Sequence, residues 1–158
     1  TGYRGTFEAE VVRQKGRRAA GVRGVRLRAD DYVIGAAIIR EGDEVLVITE
    51  KGYGKRTLGS AYPIKGRGGK GIKTANITEK NGPLAGLTTV SGKEDILLIT
   101  DKGIMIRFHA ASVSQTGRAT LGVRLIKMED DAKVITMATV ESEPEVVVEV
   151  EENPIVEE

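Results

Sequence analysis

Cysteine is absent and histidine occurs once, as His109, among 158 residues. Those two shortages exclude disulfide scaffolds, thiolate catalysis, cysteine-based zinc sites and any two-histidine metal centre. Tryptophan is also missing, and aromatic residues make up only 4% of the chain. A core must therefore be built mainly from aliphatic side chains. No apolar run approaches the roughly 18 residues that a membrane span needs, and no signal-peptide pattern is present. These absences describe a soluble protein of a reducing compartment. What the chain does have is 20 glycines, 30% charged residues and 40% hydrophobic residues. That suffices to bury a core in one ordinary domain or in several small repeated units.

The net charge of +1 conceals a split. Residues 1–140 hold all 24 Lys and Arg against 15 acids, an excess of nine positive charges. Residues 141–158 hold eight acids and no base. The division points to a body that binds a polyanion and carries an acidic tail. The plainer alternative is a tail that serves solubility alone.

Comparison of the chain with itself reveals a repeat. Gly16-Arg17-Arg18-Ala19-Ala20-Gly21-Val22, Gly66-Arg67-Gly68-Gly69-Lys70-Gly71-Ile72 and Gly117-Arg118-Ala119-Thr120-Leu121-Gly122-Val123 align, their first glycines 50 and then 51 residues apart. The run Val45–Gly52 matches Ile96–Gly103 at the same period. Tyr32–Gly35, Pro83–Gly86 and Lys133–Thr136 keep step as well. Each unit reads as strands. Val45–Thr49 and Ile96–Thr100 are short β-branched runs closed by an acid-Lys-Gly turn. Val25–Arg28 alternates apolar and basic residues, which predicts a strand with one wet face, and Ile72–Thr78 and Val123–Met128 are expected to be extended. The result is an all-β fold of about four strands per unit of roughly fifty residues, the pattern of a propeller blade; a β-solenoid or sandwich is the alternative. Gly2-Tyr3 aligns with Gly52-Tyr53 in mid-unit, so the chain reads as a fragment holding part of one unit and two fuller ones.

Basic residues concentrate at one phase of the repeat. Val11–Ala29 and Lys51–Lys73 each carry seven with no acid, and Lys102–Met128 carries five, again without an acid. Charge at one phase becomes charge at one place on every blade, a basic rim suited to a phosphate backbone. Glycines there permit tight turns and let backbone N–H groups approach an anion. Sharper motifs fail. Gly66–Gly71 fits G-x-G-x-x-G, yet a strand rather than a helix is expected next, and Gly71 stands where a P-loop needs Ser or Thr. His109 has no partner for metal or triad chemistry. Tyr3, Tyr32, Tyr53 and Tyr62 recur at strand ends and are expected to pack. The acids at 30–31, 43–44, 94–95 and 130–131 read as turn residues.

These residues carry a family resemblance. Val45–Gly71, with Ile48–Thr57 and the Gly66–Gly71 box, resembles the C-terminal domain of bacterial DNA gyrase A; Leu98–Gly103 and Thr116–Leu125 look like the following blade. The resemblance covers essentially residues 1–140. It implies a partial β-pinwheel, a propeller relative whose neighbouring blades exchange strands, that binds double-stranded DNA around its basic rim. Strand passage by the whole gyrase would then introduce negative supercoils. The implied partners are DNA, the remainder of gyrase A, and gyrase B; the implied place is the bacterial cytoplasm, at the nucleoid. Catalysis, ATP and magnesium would act elsewhere in the holoenzyme, leaving this fragment no cofactor and no reaction of its own. The DNA contacts expected are Arg17, Arg18, Arg23, Arg26, Lys55, Arg56, Lys65, Arg67, Lys70, Lys73, Arg118, Arg124 and Lys127, with Gly66, Gly68, Gly69 and Gly71 forming the glycine-rich box. The family's signature box, Gln-Arg-Arg-Gly-Gly-Lys-Gly, belongs to the first blade. Lys65–Gly71 departs from it and Gln14–Arg18 echoes it only loosely, so the motifs match the later blades. Two alternatives stand beside this reading: the equivalent domain of topoisomerase IV, whose boxes are typically degenerate, and a propeller that binds protein partners.

The tail generates the first prediction. A segment of eight acids tethered by a short linker competes with DNA for the basic body at high effective concentration. Removing 141–158 should raise DNA affinity most at low salt, and the gain should shrink as the Debye length falls from roughly 30 Å at 0.01 M to about 3 Å at 1 M. Affinities of the cut and uncut chains across a salt series measure it; equal values at low salt would leave the tail no part in binding.

Overall fold

Val45-Leu46-Val47-Ile48 is apolar without alternation, and such a run suits a strand covered on both faces. The computed structural model describes residues 2–129 and 131–142 and places this run at the centre of the fold. The strands are β1 (Tyr3–Arg4), β2 (Glu44–Thr49), β3 (Tyr53–Leu58), β4 (Ile72–Lys73), β5 (Leu84–Val90), β6 (Glu94–Thr100), β7 (Met105–His109), β8 (Val123–Arg124) and β9 (Val134–Glu141). Helical structure among the described residues is limited to three single 3-10 turns, Ala9–Val11, Gly59–Ala61 and Ala110–Ser112. These strands pair with one another antiparallel, in sheets ordered β1-β4, β5-β2-β3-β8 and β7-β6-β9.

Every residue of β2 is buried, and its two faces enter two cores. Leu46 and Ile48 join Val90, Ile96, Leu98, Val113 and Val134 between the second and third sheets. Val45 and Val47 join Tyr62, Ala75 and Leu84 on the opposite face, where Ile34, Ile39 and Ile77 also pack. Among the described residues the central strand of the third sheet, β6, is buried on one face and half-buried on the other. Ile96, Leu98 and Thr100 of β6 are buried in alternation with half-buried Leu97 and Ile99.

The four-stranded blade is thus present, but one repeat does not build it alone. β8 follows the third box and pairs with β3 of the unit before it, Tyr53 opposite Arg124. One unit earlier, β4 pairs with β1 in the same way, Tyr3 opposite Lys73. The hydrogen bonds repeat with the sequence. Lys65 N donates to Thr6 O and Thr116 N to Arg56 O, both at 2.8 Å; Thr74 N donates to Gly2 O at 2.8 Å and Leu125 N to Gly52 O at 2.9 Å. Strand exchange needs close backbone approach, and glycine supplies it. A Cβ on Gly71 would lie 2.6 Å from Arg4 O, and one on Gly122 would lie 2.7 Å from Gly54 O. Both glycines also have φ in the left-handed region, +77° and +81°.

Three expectations are corrected. Val25–Arg28 forms no strand: Val25 makes one isolated bridge to Gly69, while Arg26, Leu27 and Arg28 stay exposed. Its alternation reflects single contacts to the neighbouring box rather than a ladder. The extended segments after the second and third boxes pair over two residues only, because the strands they join end at the Gly2 and Gly52 turns. The body also passes residue 140. Glu141 pairs with Glu94 in β9, and Ser142 Oγ donates to Lys93 O and Asp95 Oδ1, each at 2.7 Å. A cut that isolates the acidic tail therefore belongs after Ser142, and the expected tail lies outside the described residues from 143 onward.

Close approach makes a stability prediction. Gly71→Ala and Gly122→Ala should each cost more than about 2 kcal/mol, the left-handed backbone and the clash adding together. Gly66→Ala, whose Cβ would meet nothing within 4 Å, should stay within about 0.5 kcal/mol. Urea unfolding reads all three, and equal midpoints would remove the close-approach account.

Candidate nucleic-acid interface

The boxes are turns whose flanks lock to one another. Gly68 N donates to Gly24 O at 2.6 Å and Arg26 N to Gly69 O at 2.7 Å, joining the chain that leaves the first box to the second. Asn76 N donates to Thr120 O at 3.0 Å, and the Asn81 side-chain amide donates to Leu121 O at 3.2 Å, joining the second box to the third. Arg67 Nε reaches back to Val11 O at 3.2 Å. The three boxes thereby form one row across consecutive blades.

Most of the expected contacts are exposed on that row. Arg17, Arg18, Arg23, Arg26, Lys65, Arg67, Lys70, Lys73, Arg124 and Lys127 are exposed, and Arg118 is half-buried. Lys73 Nζ donates to Asn76 Oδ1 at 2.8 Å, and Arg124 lies over the Tyr53 ring while donating to its hydroxyl at 3.0 Å. The four glycines of the second box divide by role. Gly71 is consumed by strand exchange, whereas Gly66 and Gly69 have no atom within 3.4 Å of an added Cβ and present open backbone.

Lys55 and Arg56 are corrected: their charges are used inside the fold. Lys55 is 1% exposed, and its ammonium donates to Gly117 O at 2.7 Å, Arg118 O at 2.5 Å and Thr120 Oγ1 at 3.2 Å. All three donors are satisfied, which a buried ammonium requires. Arg56 donates to Val113 O at 2.8 Å and Ala111 O at 3.1 Å in the next blade and pairs with the Glu44 carboxylate. Alternation in β3 sends these neighbours to opposite faces, and composition alone cannot register that. Burial, with a smaller contribution from nearby Arg118, brings the Lys55 ammonium down to about 8.

Other residues fall into structural roles. Tyr53 and Tyr62 are buried as expected, but Tyr3 and Tyr32 are exposed. Glu44, Glu94 and Asp95 lie within strands rather than turns, Asp95 receiving Arg107 Nε at 2.8 Å. His109 caps the third 3-10 turn, its Nδ1 accepting from Ala111 N at 3.2 Å. Among the described residues no cluster of three or more His, Asp or Glu could hold a metal. Two arginines outside the expected set, Arg4 and Arg28, sit over the Tyr62 and Tyr3 rings at 3.4 and 4.0 Å. The repeat does not signal either stack, since the cation phase-matched to Arg124 at Tyr53 is Lys73 and not Arg28.

A family model described as the DNA gyrase C-terminal domain, beta-propeller, matches residues 6–40, 43–91 and 94–141, close to the three repeat units. DNA gyrase A of Staphylococcus aureus strain NCTC 8325 / PS 47 is 49% identical over 141 residues, which is 88% of this chain and 16% of that protein. The same protein from strain MRSA252 is also 49% identical, over 139 residues, 87% of this chain and 16% of that protein. The chain thus spans 16% of the length of the curated relatives it matches. A solved structure of the DNA gyrase A C-terminal domain superposes with a TM-score of 0.78 at 25% identity, over 85% of this chain and 47% of that one. The C-terminal domain of DNA topoisomerase IV shares the fold, with a TM-score of 0.80 at 23% identity over 88% of this chain and 45% of that one.

The buried ammonium predicts a pH dependence. The folded value of about 8 lies below the roughly 10.4 of an unfolded lysine, so between them the unfolded chain binds more protons. Stability from this group therefore rises as pH rises through that window and is lost as pH falls through 8. The stability of the unaltered chain relative to Lys55→Met should increase between about pH 8 and pH 10 in urea unfolding. A difference that stays flat with pH would contradict the lowered value.

Proposed function

Because the chain belongs to the DNA gyrase C-terminal domain, beta-propeller family, we propose that it is a duplex-DNA-binding module of a gyrase. In this reading its basic row guides DNA so that the holoenzyme, a type II topoisomerase, introduces negative supercoils. The observation that carries the reading is the row itself: three glycine-and-arginine boxes, joined flank to flank, with ten expected cations exposed. Open backbone at Gly66 and Gly69 lets phosphates come close while the flanking Arg and Lys neutralise them.

The module carries no reaction of its own and takes no cofactor; ATP and magnesium act elsewhere in the holoenzyme. Its partners are DNA, the rest of gyrase A, and gyrase B, in the bacterial cytoplasm. The topoisomerase IV alternative shares the fold, so shape does not separate the two. Two features favour gyrase: the 49% identity to gyrase A and the intact Arg67-Gly68-Gly69-Lys70-Gly71.

Binding should follow the backbone rather than the bases, since the row is glycine-rich and poor in aromatics. If about four to six phosphates are neutralised, log K should fall with log salt at a slope of about −4 to −5. Arg67→Ala with Lys70→Ala should weaken binding with stability unchanged to within about 0.5 kcal/mol. Lys80→Ala, exposed on the Glu79-Lys80-Asn81 turn, is the control. A shallow slope, strong preference for one sequence in competition gel shifts, or equal losses from control and box variants would sink the reading.

A further inference from the structure

The second and third boxes stand on the same backbone frame but are closed differently. The repeated bonds that set the frame, Lys65 N to Thr6 O and Thr116 N to Arg56 O, align Lys55 with Gly5 and Thr120 with Gly69. At the third box the Lys55 ammonium ties Gly117 O, Arg118 O and Thr120 Oγ1 together. Thr120 Oγ1 adds a 3.0 Å bond to Gly117 O and lies 2.9 Å from Thr116 Oγ1. At the second box both partners are glycine, and the place of the lysine stem is a cavity of about 250 Å³ lined by Gly5, Phe7, Gly66, Gly69, Lys70 and Ile72. The loss is paired: donor and acceptor vanish together at one box and are present together at the other.

Building on the DNA-binding reading above, we infer that Lys55 is a positioning residue. It fixes the Gly117–Thr120 loop so that Arg118 meets DNA in one preset geometry, whereas the Gly66–Gly69 loop is held by its neighbours through Gly68 N to Gly24 O, Arg26 N to Gly69 O and Arg67 Nε to Val11 O, without a lysine beneath it. The ordering cost of the third box is thereby met when the chain folds rather than on binding. Lys55 itself, 1% exposed, acts through the loop and never through a phosphate.

Amide exchange and DNA affinity of the chain test this together. Lys55→Met, which keeps the stem and removes the donors, should speed exchange at 117–120 and weaken DNA binding about two- to tenfold. Lys55→Arg should recover much of both. Because the effect runs through Arg118, Lys55→Met with Arg118→Ala should bind no worse than Arg118→Ala alone. The converse replacement is open as well, since neither Gly5 nor Gly69 has a left-handed φ and an added Cβ at either has no atom closer than 3.7 Å. Gly5→Lys with Gly69→Thr should slow exchange at 66–69. Unchanged exchange at 117–120 in Lys55→Met, or losses from Lys55→Met and Arg118→Ala that simply add, would overturn the inference while leaving wild-type binding intact. Failure of the unaltered chain to bind DNA at low salt overturns both the inference and the reading beneath it. If Lys55→Met does not fold, the glycine replacements decide, and unchanged exchange at 66–69 overturns it.

Discussion

Strand exchange is the constraint on which the other features rest. A two-residue strand after the second and the third box pairs with the hairpin of the preceding unit, β4 with β1 and β8 with β3. That pairing requires a backbone without a side chain at Gly71 and Gly122, where carbonyls of the partner strand stand within 2.7 Å of an added Cβ. It fixes the spacing of the boxes, because each box is the connection that carries the chain from one blade to the next. The basic row is therefore a consequence of how the blades are joined rather than an addition to their surface.

The blades also divide their charges. Arg56 and Lys55 leave β3 on opposite faces, one to the carbonyls of the next hairpin's 3-10 turn and Glu44, the other to the carbonyls of the third box. Both are structural cations in a stretch that is basic throughout. Burial of either is tolerated because each donor finds an acceptor, and removing one partner would leave a charged group unsatisfied in the interior. The exposed cations have few internal acceptors, so their charge remains available to an anion.

The two faces of β2 explain why this all-β fold holds with few aromatics. Four consecutive aliphatic residues serve two cores, so one strand supplies the packing that separate strands would otherwise share. The central strand of the third sheet, β6, whose described residues are buried on one face and half-buried on the other, shows the alternation that β2 lacks.

Much of this was legible in the chain. The fifty-residue period, the strands at Val45–Thr49 and Ile96–Thr100 and the phase of the basic boxes all follow from residue order, because a repeated sequence must repeat its local geometry. The positions of Arg67 and Lys70 at the surface follow from the same period. Pairing partners and the direction of each side chain do not. Val25–Arg28 alternates like a strand yet finds only one bridge, since its neighbour is a box turn rather than a strand. Lys55 and Arg56 read as rim cations, and only the register of β3 against β2 and β8 decides that one enters the third box and the other the gap between blades. Composition counts charges; the fold decides which of them meet an internal acceptor before any anion arrives.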